Sequence, residues 1–148
     1  MLEISASVEI KADPAAVWAV LADLASYPQW NPFIRTAVGD LVVGGRLSCR
    51  LRPGRGPSIT FRPVVLTVDP GRELCWQGRL LMPGVLDGRH RFELQVVEGG
   101  TLLRQGEVFT GLLVAVLRGS LRAAQGDFAR LNEALRERVE TLANRDAV

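Results

Sequence analysis

Apolar and polar residues alternate with period two through most of the chain and switch to spacings of three and four near its end. SASVEIKA, close to the N-terminus, alternates and predicts a first strand. Asp13 followed by Pro14 predicts a helix start, with an acceptor at the N-cap and proline in the first turn, and Val17, Leu21 and Leu24 form one stripe behind it. Ser26 and Pro28 interrupt that stripe, and in YPQWNPF the prolines on either side of Trp30 and Asn31 force a short, fixed turn. A short strand near 34–38 precedes a long stretch of period two from Gly44. Strands are expected near 45–52, 58–68, 72–81, 87–98 and 101–113, punctuated by PGRGP, VDPGRE and MPGVLDG. In the last segment, roughly 115–143, Leu117, Leu121, Ala124, Phe128, Leu131, Leu135, Val139 and Leu142 predict one amphipathic helix about 40 Å long.

The most informative segment is HRFELQVVEGGTLLRQGEVF. His90, Phe92, Leu94 and Val96 alternate with Arg89, Arg91, Glu93 and Gln95, and Gly99-Gly100 reads as the turn of a hairpin. If Glu98 faces Thr101, then Val96 faces Leu103, Leu94 faces Gln105, Phe92 faces Glu107 and His90 faces Phe109. Gln105 and Glu107 thereby join the apolar face, with His90 diagonal to Glu107 at about 7 to 8 Å between backbones.

The chain has 148 residues, enough for one domain spanning 1–148. Its 47% hydrophobic and 23% charged content is that of a globular protein, and no apolar run approaches the length of a membrane span. The N-terminus reads as a strand, with no secretory h-region, so the cytoplasm is the expected location. The net charge is +2, and the basic side is arginine except for Lys11. Arg46, Arg50 and Arg52 alternate with Leu47, Cys49 and Leu51 as the wet side of a strand. Without interleaved aromatics or a recognition helix they do not point to nucleic acid. Cys49 and Cys75 have no metal-ligand spacing and opposite inward parity, so neither a metal site nor a disulfide is expected. A single histidine excludes a multi-histidine metal centre, and the sequence holds no nucleophile elbow, phosphate loop or dinucleotide fingerprint. No cofactor is expected.

IKADPAAVWAVLADLASYPQWNPF, the glycines of VGGRL, the GRHRFEL strand and TLLRQGEVFTG before the last helix together resemble the START/SRPBCC superfamily, which includes polyketide cyclase/dehydrase-like and lipid-transport proteins. The resemblance spans about residues 4–142. It implies an α+β helix-grip fold, a curved antiparallel sheet wrapped around the long C-terminal helix with two short helices after the first strand, and a cavity between sheet and helix. On that reading the lining comes from Trp30, Phe33, Phe61, Val65, Leu74, Trp76, Leu80, His90, Phe92, Glu107, Phe109, Leu117, Leu121 and Phe128, with Gln105 beside His90 and Glu107 as a further polar contact.

Each polar or aromatic candidate carries more than one reading. His90 and Glu107 form either an acid-base pair, a polar anchor for a ligand, or a self-satisfied structural pair. Trp30 is a cavity rim or a turn anchor, Trp76 an aromatic wall or ordinary core, and PGRGP a lid or a surface turn. Three functions remain open at this point: binding or carriage of a small hydrophobic or amphipathic molecule; a cyclase- or dehydratase-like enzyme using His90 and Glu107; and a protein-interaction module with a filled core.

Overall fold

The computed structural model describes residues 1–80 and 82–147, the side chain of Leu80 excepted. β1 (Leu2–Ile10) leads through Asp13 into α1 (Pro14–Leu21), whose first turn is closed by the Asp13 carboxylate accepting from the Ala16 amide at 2.8 Å. A single 3-10 turn (Leu24–Ser26) and the one-turn α2 (Tyr27–Trp30) follow. The fixed turn expected between the prolines is held by Asn31, whose side-chain oxygen accepts from the Phe33 and Ile34 amides. Tyr27 is fully buried and donates to the Leu21 carbonyl at 2.6 Å, and burial raises its pKa above the ordinary tyrosine value.

Two antiparallel sheets carry the remaining strands. β2 (Ile34–Val38), β3 (Ser48–Leu51) and β4 (Ile59–Phe61) form a small sheet in that order. β5 (Val64–Asp69), β6 (Glu73–Leu80), β7 (Leu86–Val97) and β8 (Gly100–Thr110) join β1 in an open five-stranded sheet of order β1-β8-β7-β6-β5. The strand expected over 58–68 is therefore two strands in different sheets. Arg62-Pro63 separates them, because proline has no N–H to continue a ladder. The strand expected from 45 begins at Ser48, Arg46 making only a single bridge to Val64, and β8 stops at Thr110 rather than continuing to 113.

The β7–β8 hairpin keeps the expected faces but in a register shifted by two residues. Val97 pairs with Gly100, so the turn is Glu98-Gly99, and His90 lies directly opposite Glu107 while Phe92 opposes Gln105. Gly99 takes the left-handed φ of +83°. Gly100 is needed for another reason: a Cβ there would run into the Ile10 carbonyl oxygen at the end of β1. Because the shift is even, every side chain stays on its expected face. Val96, at the hairpin end, is 71% exposed despite its inward parity.

α3 (Val114–Asp146) has 33 residues, about 50 Å, and outruns the expected helix at both ends. Its C-terminal half is close-packed: Leu131, Leu135 and Val139 are buried in one core with Ile4, Ile10, Val17, Leu21, Phe92 and Leu103. Its N-terminal half stands further off the sheet, with Leu117, Leu121 and Ala124 only half-buried. No helix is long and apolar enough to cross a membrane.

Cys49 and Cys75 are free and buried. Burial pushes the Cys49 thiol up to about 12 from an ordinary 9.0. The folded state keeps a proton that the unfolded chain releases near 9, so the contribution of Cys49 to stability is intact below that pH and falls as pH rises from 9 toward 12. In urea unfolding at pH 8 to 10.5, wild type should lose stability more steeply than Cys49→Ala, by up to about 1.4 kcal/mol per pH unit. Parallel slopes would show that the thiol plays no part.

Candidate functional site

Where α3 stands off the sheet there is a pocket of about 860 Å³, walled by β6, β7 and β8, by the small sheet and the 52–58 loop joining β3 to β4, and by the first half of α3. Of the residues singled out from the sequence, Phe33, Phe61, Trp76, His90, Glu107, Phe109, Leu117, Leu121 and Phe128 border it. Glycines on the sheet let two side chains of the wall settle against it. Gly78 and Gly88 face each other across β6 and β7. A Cβ on Gly78 would lie 2.5 Å from the Phe61 ring, and one on Gly88 the same distance from Glu107 Oε1. On the helix side Gly119, Ser120, Ala123, Ala124 and Gly126 share the wall with the larger Leu117, Leu121 and Phe128.

A chain of buried polar groups reaches the pocket wall. The Asn132 amide donates to the Ala6 carbonyl at 3.0 Å, and the Gln105 amide donates to Asn132 Oδ1 at 2.8 Å and to the Phe128 carbonyl at 3.3 Å. Gln105 Oε1 meets His90 Nε2 at 2.9 Å, and His90 Nδ1 meets Glu107 Oε2 at 3.3 Å. His90 is 4% exposed and held among aromatic rings, stacked on Trp76 with centroids 5.5 Å apart and edge-on to Phe128 at 4.8 Å. Trp76 is fully buried, and its Nε1 has no partner among the described residues.

The remaining expected residues lie elsewhere. Gln105 is fully buried beneath α3 and does not border the pocket; it acts on the site only through His90. Phe92 and Leu74, opposed across β6 and β7, belong to the closed core, as does Val65. Trp30 packs edge-on against Tyr27 at 5.2 Å and donates to Ser26 Oγ, anchoring the turn. The Leu80 side chain lies outside the described residues. Sequence reasoning missed Asn132, which the stripe of apolar positions hid. It also missed Leu51, Ile59 and Leu86 on the wall and the Asp127 clamp at the mouth. Asp127 is buried, accepts from the Gly54 amide at 2.9 Å and pairs with Arg130, tying the PGRGP loop to α3.

A smaller depression of about 490 Å³ on the outer face of the large sheet is bordered by Glu3, Arg91, Glu93 and Arg104. Arg91 pairs with Glu73 and Glu93, and Arg104 with Glu3, so these charges are largely used among themselves. Among the described residues no three His, Cys, Asp or Glu side chains gather in a way that could hold a metal.

Residues 1–140 match the family model for polyketide cyclase / dehydrase and lipid transport. No curated protein matches the chain at a significant level. Among solved structures, a START superfamily protein from Mycobacterium smegmatis superposes with a TM-score of 0.74 at 21% identity, covering 95% of this chain and 98% of that one. Norcoclaurine synthase from Thalictrum flavum, a point mutant bound to a transition-state analogue, gives 0.75 at 14% identity and 96% of each chain. The di-domain aromatase/cyclase StfQ of the steffimycin biosynthetic pathway gives 0.68 at 16%, covering 99% of this chain and 52% of that one. At these identities the likeness is one of fold.

Asp127→Ala removes the acceptor that holds Gly54 at the pocket mouth. The expected outcome is at least tenfold faster amide hydrogen exchange at Gly54, with exchange in the Leu131–Val139 part of α3 unchanged. An unchanged Gly54 rate would show that the loop is held by other contacts.

Proposed function

The chain belongs to the polyketide cyclase / dehydrase and lipid transport family, and from that premise we propose that it binds and carries a small hydrophobic or amphipathic molecule in the pocket between the sheet and the first half of α3. The observation that carries the proposal is the pocket itself, about 860 Å³ with mainly aromatic and aliphatic walls and a single polar spot in the sheet at His90 and Glu107. Small-molecule sites have this make-up: apolar area supplies affinity and a few placed polar groups supply orientation. An open space of this size also weighs against the filled core that a pure protein-interaction module would have. Localisation in the cytoplasm forms part of the same reading.

The test is titration with N-phenyl-1-naphthylamine, a neutral fluorescent probe. Saturable binding near one probe per chain is expected, and Ala124→Trp, which fills the pocket from the helix side, should weaken it at least tenfold without lowering the urea midpoint. Absence of saturable binding, or an unaffected Ala124→Trp variant, would remove the proposal.

One observation favours a second reading. His90 and Glu107 touch at 3.3 Å on the pocket wall, the arrangement that proton transfer to a bound substrate needs, which suits a cyclase- or dehydratase-like activity. With a polyketone that the wild type cyclises or dehydrates, Glu107→Gln should lower turnover by about 100-fold or more while probe affinity changes only a few fold. Equal losses in both would mean that Glu107 serves binding alone.

A further inference from the structure

The polar chain behind the pocket determines where its protons sit. It is anchored on two backbone carbonyls, which can only accept. Because Asn132 Nδ2 donates to the Ala6 carbonyl, the other amide atom, Oδ1, faces Gln105. Gln105 must then present its amide NH₂, which it does to both Asn132 Oδ1 and the Phe128 carbonyl. Gln105 Oε1 is left facing His90 Nε2, and an amide oxygen can only accept, so Nε2 carries a proton. In the neutral ring Nδ1 is consequently the bare nitrogen, turned toward Glu107 Oε2.

Two lone pairs do not approach to 3.3 Å in a partly buried site without a proton between them. That proton lies either on Nδ1, giving imidazolium and carboxylate, or on Oε2, giving neutral imidazole and carboxylic acid. In both placements the other oxygen, Oε1, carries no hydrogen. Oε1 lies over Gly88, in space that a Cβ there would invade, and accepts no hydrogen bond from the described residues, on a side chain that is 15% exposed.

We propose that Gln105 and Asn132 are positioning residues that fix the His90 tautomer, and that Glu107 Oε1 is thereby an obligate acceptor which selects ligands whose polar end donates a hydrogen bond, a phenol, enol or alcohol, over carboxylates of the same skeleton. The inference rests on the binding reading above and names the ligand class for that site. A carboxylate would bring lone pairs and negative charge against an oxygen that carries no proton in either placement, beside a His90–Glu107 pair that is neutral overall, whereas a hydroxyl can donate to it. Arg55 and Arg130 also border the pocket, but both are exposed and come from the loop and the α3 face at the Asp127 clamp, with Arg130 paired to Asp127.

His90 is the only histidine, so its imidazole nitrogens give one set of NMR signals. Long-range proton–nitrogen spectra of the wild type should show the neutral ring protonated on Nε2, and Gln105→Leu should release that constraint and admit the Nδ1–H form. A wild-type neutral ring protonated on Nδ1 overturns the inference. The ligand arm uses 2-naphthol against 2-naphthoate, each competing with N-phenyl-1-naphthylamine. Naphthol should bind at least tenfold more tightly, Glu107→Leu should bring the two within about threefold, and Glu107→Gln should keep naphthol ahead, because its amide can donate to Nδ1 and still turn an oxygen toward Gly88. If the fluorescent probe binds but naphthoate matches naphthol, or the preference survives Glu107→Leu, this inference falls and the carriage reading stands. If the probe binds and neither naphthalene displaces it, this inference falls alone; if no probe binds, both fall. Should Gln105→Leu fail to fold, the wild-type tautomer and the Glu107 pair of variants still decide.

Discussion

Gln105 is the point at which helix and sheet are joined by hydrogen bonds rather than by shape alone. Its side chain rises from β8, is fully buried, and donates to the Phe128 carbonyl and the Asn132 side chain of α3. Leaving one such buried group unpaired costs about 1–3 kcal/mol, so only a narrow range of helix positions satisfies both side-chain amides, Gln105 and Asn132. On one side of this tie, Leu131, Leu135 and Val139 close the core against β1 and α1. On the other side the helix runs out over the pocket. The tie fixes how far the first half of α3 stands from the sheet, and hence whether there is room for a ligand.

The space beyond the tie lowers stability. Gly119 and Gly126 lie within a helix, where glycine is destabilising by roughly 0.5–1 kcal/mol relative to alanine. Nothing within 4 Å would meet a Cβ at either position, so packing does not explain them. Gly78 and Gly88 give up side chains within two strands, and there the gaps are taken by the chain itself, by Phe61 and by Glu107. Only on the helix wall, at Gly119 and Gly126, is volume left open for something other than the chain's own side chains. The low-stability half of the helix and the loop clamped by Asp127 are then the parts able to yield when a molecule enters, while the packed half stays closed.

The architecture was legible because it rests on periodicity. Period two placed each side chain of β7 and β8 on its correct face even though the turn lay one residue earlier than Gly99-Gly100 suggested, since an even slip preserves parity. What period two does not encode is depth along a strand. Phe92 and Gln105 share a face with His90 and Glu107, yet the first pair lies within the closed core and the second borders the pocket. The helix stripe had the same limit, since Leu121 and Leu135 read alike in sequence but one borders a pocket and the other a core. Asn132 interrupts that stripe as an ordinary polar residue until its partner on β8 is known. The Pro63 break between β4 and β5 lies inside the single strand expected over 58–68, where apolar residues flank the proline on both sides.

An apolar pocket by itself grips any molecule of suitable size and cannot orient it, because the hydrophobic effect is non-directional. Direction has to come from the polar spot, and a spot made of a lone carboxylate would be free to take up a proton and switch between accepting and donating. The ring of His90 removes that freedom by holding the shared proton on the Oε2 side, and the ring in turn cannot rotate or change tautomer while stacked on Trp76 and bonded to Gln105. The orientation of a ligand in the pocket thus depends on residues it never touches, back through Asn132 to the Ala6 carbonyl of β1. The same contacts that hold the helix to the sheet decide what the pocket wall can recognise.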